Sequence, residues 1–146
     1  MRAADFISPE ERKRLESAIA SAERNTSGEI RIHIERKCTS DPRERALRSF
    51  HKLGMTKTSA RNGVLIYVAC ESRQFAILGD KGINEAVPAG FWKDICDDLG
   101  KAFKEEKYVE GLESAVILVG KKLKAFFPYM SDDVNELPDD ISIDEN

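Results

Sequence analysis

Leu15, Ala18, Ile19 and Ala22 fall at i, i+3, i+4 and i+7, which aligns them on one face of a helix. Its start signal is Ser8-Pro9-Glu10-Glu11. Ser8 caps, Pro9 fits the first turn, and Glu11 completes a capping box. Asn25-Thr26-Ser27-Gly28 ends the helix. The period then changes to two. Ile30, Ile32 and Ile34 alternate with Arg31, His33 and Glu35, predicting a strand with one buried and one polar face. On this reading His33 is a surface residue.

Asp41-Pro42 opens a second helix. Its apolar side is Ala46, Leu47, Phe50 and Leu53, and Gly54 stops it. Residues 64–70 are apolar without alternation, the mark of a central strand covered on both faces. A four-residue polar link leads to Phe75-Ala76-Ile77-Leu78, so these two strands make an antiparallel hairpin. Gly79-Asp80-Lys81-Gly82 reads as the turn that ends it. Trp92, Ile95, Leu99 and Phe103 form one further helical stripe, better explained by core packing than by ligand stacking. Leu112, Ala115, Val116, Val119, Leu123 and Phe126 form another, closed by Pro128.

The order αβαββαα predicts an α/β fold. A small mixed sheet is sandwiched between helices on both faces, in one domain over residues 1–130. The first two strands are joined by a right-handed crossover and run parallel, and the third runs back.

Charge changes the picture at the C-terminus. The 146 residues carry net −3. Residues 131–146 hold seven of the 26 acids and none of the 23 bases, leaving the rest of the chain net basic by four. Val134, Leu137, Ile141 and Ile143 are separated there by Pro138 and charges. The expectation is an acidic, disordered tail whose removal leaves the melting temperature nearly unchanged. The mildly basic remainder carries no nucleic-acid module motif, which argues against nucleic-acid binding. No apolar run approaches the roughly 20 residues of a membrane span, and no apolar signal segment opens the chain. The odd count of Cys38, Cys70 and Cys96 shows neither disulfide nor zinc spacing. These readings place a monomer in the cytoplasm, with its cysteines as small buried hydrophobes.

The topology gathers chemistry at one pole of the sheet, where the first two strands begin and the third ends. Glu29, Asp80 and Glu85 supply hard oxygen ligands for calcium or magnesium. Arg61 and Lys81 suit a phosphate or carboxylate. The opposite pole collects Cys38, Cys70, Glu71 and Arg73.

Several segments, in order, resemble the TPM-domain family. They are Ser27-Gly28-Glu29-Ile30-Arg31, Arg61-Asn62-Gly63-Val64-Leu65-Ile66-Tyr67, residues 75–83, Phe91-Trp92 and Gly111-Leu112. They look most like its short, stand-alone bacterial branch, over about residues 8–128. The resemblance implies the same small mixed sheet between helices. It also implies metal binding and acid phosphatase activity, since one plant member is described as a calcium-binding acid phosphatase. Longer members carry two adjacent acids before an Arg at the hairpin turn, where Glu71-Ser72-Arg73 keeps one. They also carry acids where this chain has Asn84 and Ala89. Two readings follow. In the first, the chain is a binding or interaction module with a weak calcium or magnesium site centred on Asp80, serving a protein partner or a small phosphorylated ligand. In the second, it is a metal-dependent acid phosphatase, with Asp80, Glu85 and Glu29 around the ion and Arg61 or Lys81 on the phosphoryl group.

Overall fold

A computed structural model describes residues 1–129 and 135–146. After a 3-10 turn at Ala3–Asp5 come α1 (Pro9–Glu23), β1 (Glu29–Glu35), α2 (Pro42–Lys52), β2 (Gly63–Ala69) and β3 (Gln74–Gly79). Then follow α3 (Lys81–Ala86), α4 (Lys93–Lys104), α5 (Tyr108–Leu123) and β4 (Ser142–Asp144).

The first two helices start where the sequence specifies. Ser8 Oγ accepts from Glu11 N at 3.1 Å and Glu11 Oε1 accepts from Ser8 N at 2.8 Å, the reciprocal capping box. Asp41 Oδ1 caps α2 by accepting from Arg43 N at 3.1 Å. Gly79 to Gly82 is not a plain turn. Asp80 caps α3, accepting from Lys81 N at 2.7 Å. A capping acid directly after a strand serves a turn and a helix start equally well.

The sheet order is β3-β2-β1-β4. β1 and β2 are parallel, with Ile32 opposite Ile66, and β3 is antiparallel to β2, with Ile77 opposite Ile66. On one face Ile30, Ile32, Ile34, Val64, Ile66, Val68 and Ile77 pack with α1, α4 and α5. On the other Leu65, Tyr67, Ala69 and Leu78 pack with Ala46 and Phe50 of α2. β2 is buried throughout on both faces, as its unbroken apolar run implies. Cys38 and Cys70 are buried, and all three cysteines are free thiols.

Two expectations give way. β1 is also buried along its whole length, polar residues included. Its edges pair with β2 and β4, and its polar face lies on the α2 side, where Arg45 and Tyr67 donate to Glu35 and Leu137 N donates to Glu29, so that face meets protein rather than water. His33 is 5% exposed, not a surface residue. The second correction explains the first. Residues 135–146 are not a free tail but fold against the body, while residues 131–134 lie outside the described part. β4 pairs parallel with β1, His33 opposite Ser142 and Glu35 opposite Asp144. Leu137 enters the α2-side core and Ile141 the opposite one. Pro138 and the intervening acids break the pattern in sequence, yet the two apolar side chains serve different faces and need no common stripe.

Candidate functional site

The starts of β1 and β2 and the end of β3 do meet at one pole, but the residues there divide between two cavities. Arg61, Asp80, Lys81 and Glu85 line the first, a space of about 480 Å³ beside α2. Glu29 lines the second, about 230 Å³, together with Glu23 of α1 and Asn135 and Asp139 of the C-terminal segment. Five sequence candidates therefore give one group of four and one outlier.

In the first cavity Asp80 is already engaged. Arg61 grips it in a fork, Nε to Oδ2 at 2.7 Å and Nη2 to Oδ1 at 2.9 Å, and Oδ1 also accepts from Lys81 N. The hydrogen bond to Asp80 holds the Arg61 guanidinium above its ordinary pKa. Asp80 is buried, so releasing it to a cation leaves Arg61 without its partner. Arg61 itself sits at φ 50°, a left-handed backbone uncommon for a residue with a side chain. Its carbonyl accepts from Gly82 N at 2.9 Å. A Cβ at position 82 would lie 2.2 Å from Ala60 O and 2.8 Å from Arg61 O, both backbone atoms. Gly82→Ala therefore forces the 60–61 loop away from α3. The expected cost is about 1–3 kcal/mol, as for overpacking, measured by urea denaturation. An unchanged midpoint is the contrary result.

The second cavity gathers acids from three separate segments. Glu23 Oε2 accepts from Ile30 N at 2.8 Å, and Glu29 Oε1 accepts from Leu137 N at 2.6 Å. Burial, then the shared contact with Asp139, pushes the Glu23 carboxyl up to about 9. Burial also raises Glu29, to about 6, against two backbone donors that favour its charged form. Glu23 and Asp139 are not candidates on sequence grounds. Loop and strand-end residues define the pole there, which leaves out the last turn of α1, and the acidic composition of residues 131–146 hides Asp139. The usable signal is position: Glu23 is the last residue of a helix that turns directly into β1.

A third cluster lies at the other end of β1. Glu35, 1% exposed, accepts from Arg45 Nε and Nη2 at 2.9 Å each and from Tyr67 Oη at 2.6 Å. Burial pushes its carboxyl up, but the bonds from Arg45 and Tyr67 and the Arg45 charge outweigh this and hold it below the ordinary range. His33 Nδ1 lies 2.6 Å from Ser142 Oγ, and Nε2 lies 3.4 Å from Glu35 Oε1. Burial lowers the His33 pKa although Glu35 opposes it. His33, Glu35 and Asp144 each offer one ligand atom within 4.8 Å of the others. Glu35 is already occupied by Arg45 and Tyr67, so this cluster reads as a structural network. Nearby, Glu71 pairs with the N-terminal amine, Arg36 and Lys37.

The family model of the TPM domain matches residues 1–122. The solved structure of BA42 from the psychrophilic bacterium Bizionia argentinensis is similar at 43% identity and TM-score 0.90, over 95% of this chain and 96% of that one. The N-terminal domain of a protein from P. gingivalis is similar at 20% identity and TM-score 0.67, over 85% and 80%. The N-terminal domain of the cg2496 protein from Corynebacterium glutamicum matches at 16% identity and TM-score 0.63, over 79% and 72%. These last two show likeness of fold alone. A comparison with curated proteins finds no match.

Proposed function

This chain belongs to the TPM-domain family, and from that premise we propose that it is a non-catalytic binding module whose acidic cavity takes calcium or magnesium. The observation that carries the reading is the convergence of Glu23, Glu29 and Asp139 on one cavity, with the Asn135 side chain beside them. Burial first, and neighbouring acids such as Asp139 after it, raise Glu23 and Glu29, and a divalent ion supplies the positive charge that protons supply in its absence. Glu29 keeps the role the sequence suggests. Asp80 and Glu85 do not share its cavity, and Asp80 is spent on Arg61.

The engagement of Asp80 weighs against the phosphatase alternative. Metal-assisted hydrolysis needs the ion and the anion-holding cations around one phosphoryl group. Asp80 and Glu85 do share a cavity with Arg61 and Lys81, but Asp80 is held by Arg61 and Glu29 lies in the other cavity, so one carboxylate, Glu85, is left there for an ion. The proposed setting is the cytoplasm, with the chain acting as a monomer toward a protein partner. Free cysteines accord with a reducing compartment. No helix among the described residues is long and apolar enough to cross a membrane.

Calorimetry tests the reading. Calcium is expected to bind with Kd of about 0.1–1 mM, since few carboxylates are present and waters complete the shell. Glu23→Gln and Asp139→Asn each weaken binding about tenfold, and Asp80→Asn leaves it unchanged. Binding releases protons, because ligands must be deprotonated, so affinity rises as pH is raised from about 6 to 9. Turnover of p-nitrophenyl phosphate with calcium present stays at background. Binding lost in Asp80→Asn and kept in Glu23→Gln, or turnover that depends on the ion, overturns the proposal.

A further inference from the structure

The larger cavity has walls of two characters. Leu47 and Phe50 of α2 and Leu78 of β3 make one side apolar. Leu47 is 52% exposed there, although it belongs to the apolar stripe of its helix. The other side is cationic. Arg43 and Lys81 make no ion pair among the described residues. Arg61 gives Asp80 only part of its five-donor fork and keeps the rest. Three cations thus face two acids, and one of those acids is already paired.

The Arg61 position is built rather than incidental. Its left-handed backbone persists because Asp80 holds the side chain and Gly82 N holds the carbonyl. Backbone strain over-determined in this way concentrates at ligand sites. The volume, about 480 Å³, lies within the roughly 300–1,000 Å³ of small-molecule sites and exceeds what a bare phosphate fills.

We propose that this cavity binds a small organic anion, one that joins a phosphate or carboxylate head to an apolar ring or chain. The head lies among Lys81, Arg43 and the free donors of Arg61. The apolar part lies against Leu47, Phe50 and Leu78. Binding there is independent of the acidic cavity and of any ion in it.

The test is an amide NMR titration of the full chain in EDTA, which removes divalent ions and separates this result from the cation reading. The probes are phenyl phosphate, phenylacetate, inorganic phosphate and benzyl alcohol. Phenyl phosphate or phenylacetate is expected to shift residues 43–51, 61 and 78–85 saturably, and the tighter of the two identifies the head group. Inorganic phosphate and benzyl alcohol are each expected to bind at least about tenfold more weakly, because each lacks one half of the ligand. Lys81→Gln and Arg43→Gln are surface changes that keep the fold, and each weakens the organic anion about five- to tenfold. Leu47→Asn weakens it too and does not affect inorganic phosphate. Equal binding of inorganic phosphate, equal binding of benzyl alcohol, shifts confined elsewhere, or no effect of the three substitutions overturns the proposal.

Discussion

A chain ending at Tyr129 is expected to melt at least about 10 °C below the full-length protein, from a loss of roughly 3–6 kcal/mol. Two of the lost side chains are core residues, Ile141 at 1% exposure and Leu137 at 7%. Burying a Leu or Ile contributes about 1.5–3 kcal/mol. The segment also satisfies groups that its removal strands. Glu145 accepts from Ala3 N at 2.7 Å and Ala4 N at 2.9 Å. Leu137 N donates to the buried Glu29, and Arg12 Nη2 donates to Ile141 O at 2.6 Å. Differential scanning calorimetry of the two chains decides the matter. Equal melting temperatures would show that residues 135–146 do not dock, the outcome the composition alone suggests.

Glu35→Ala is expected to cost about 3–5 kcal/mol, the range for removing one partner of a buried charged network. The substitution leaves Arg45 without its only ion-pair partner among the described residues and Tyr67 Oη with no acceptor. Arg45 is about a quarter exposed, so water recovers some of its solvation and the lower end of the range applies. The pH dependence has a definite sign. The folded Glu35 pKa lies below the unfolded one, so its contribution is present above the ordinary carboxylate pKa and is lost as pH falls through the folded value. Urea unfolding at pH 7 and pH 3 measures both effects. The gap between wild type and Glu35→Ala should be wider at pH 7 than at pH 3. A gap under about 1 kcal/mol at pH 7 means the network contributes nothing beyond an ordinary surface pair.

Much of the fold is legible in the sequence because its signals are local. The capping box at Ser8 and Glu11, the cap at Asp41 and the unbroken apolar run of β2 each declare an element within a few residues. What escapes is contact between distant segments. The alternation of Ile30, Ile32 and Ile34 with Arg31, His33 and Glu35 is real. Period alone cannot distinguish a face turned to water from one covered by another part of the chain. His33 meets Ser142, 109 positions away, and Glu29 meets Leu137, 108 away. The site shows the same division. Arg61 and Asp80 are brought together by the β2–β3 hairpin, which the sequence announces. Glu23, Glu29 and Asp139 meet only because the C-terminal segment returns to the body.

That return also sets an order of events during synthesis. The family model ends at residue 122, and the strand that closes the open edge of β1 is made some 20 residues later. Until it emerges, β1 is an edge strand, paired with β2 on one side and open on the other to association with other chains. Domains generally begin folding from the N-terminal side while the ribosome is still adding residues. Residues 135–146 supply Leu137 to one core, Ile141 and the flanking Ile143 to the other, and a strand of the sheet. Closure of the sheet therefore waits until residues 142–144 are free to pair, and a chain cut before them keeps an exposed sheet edge rather than a shortened but finished domain.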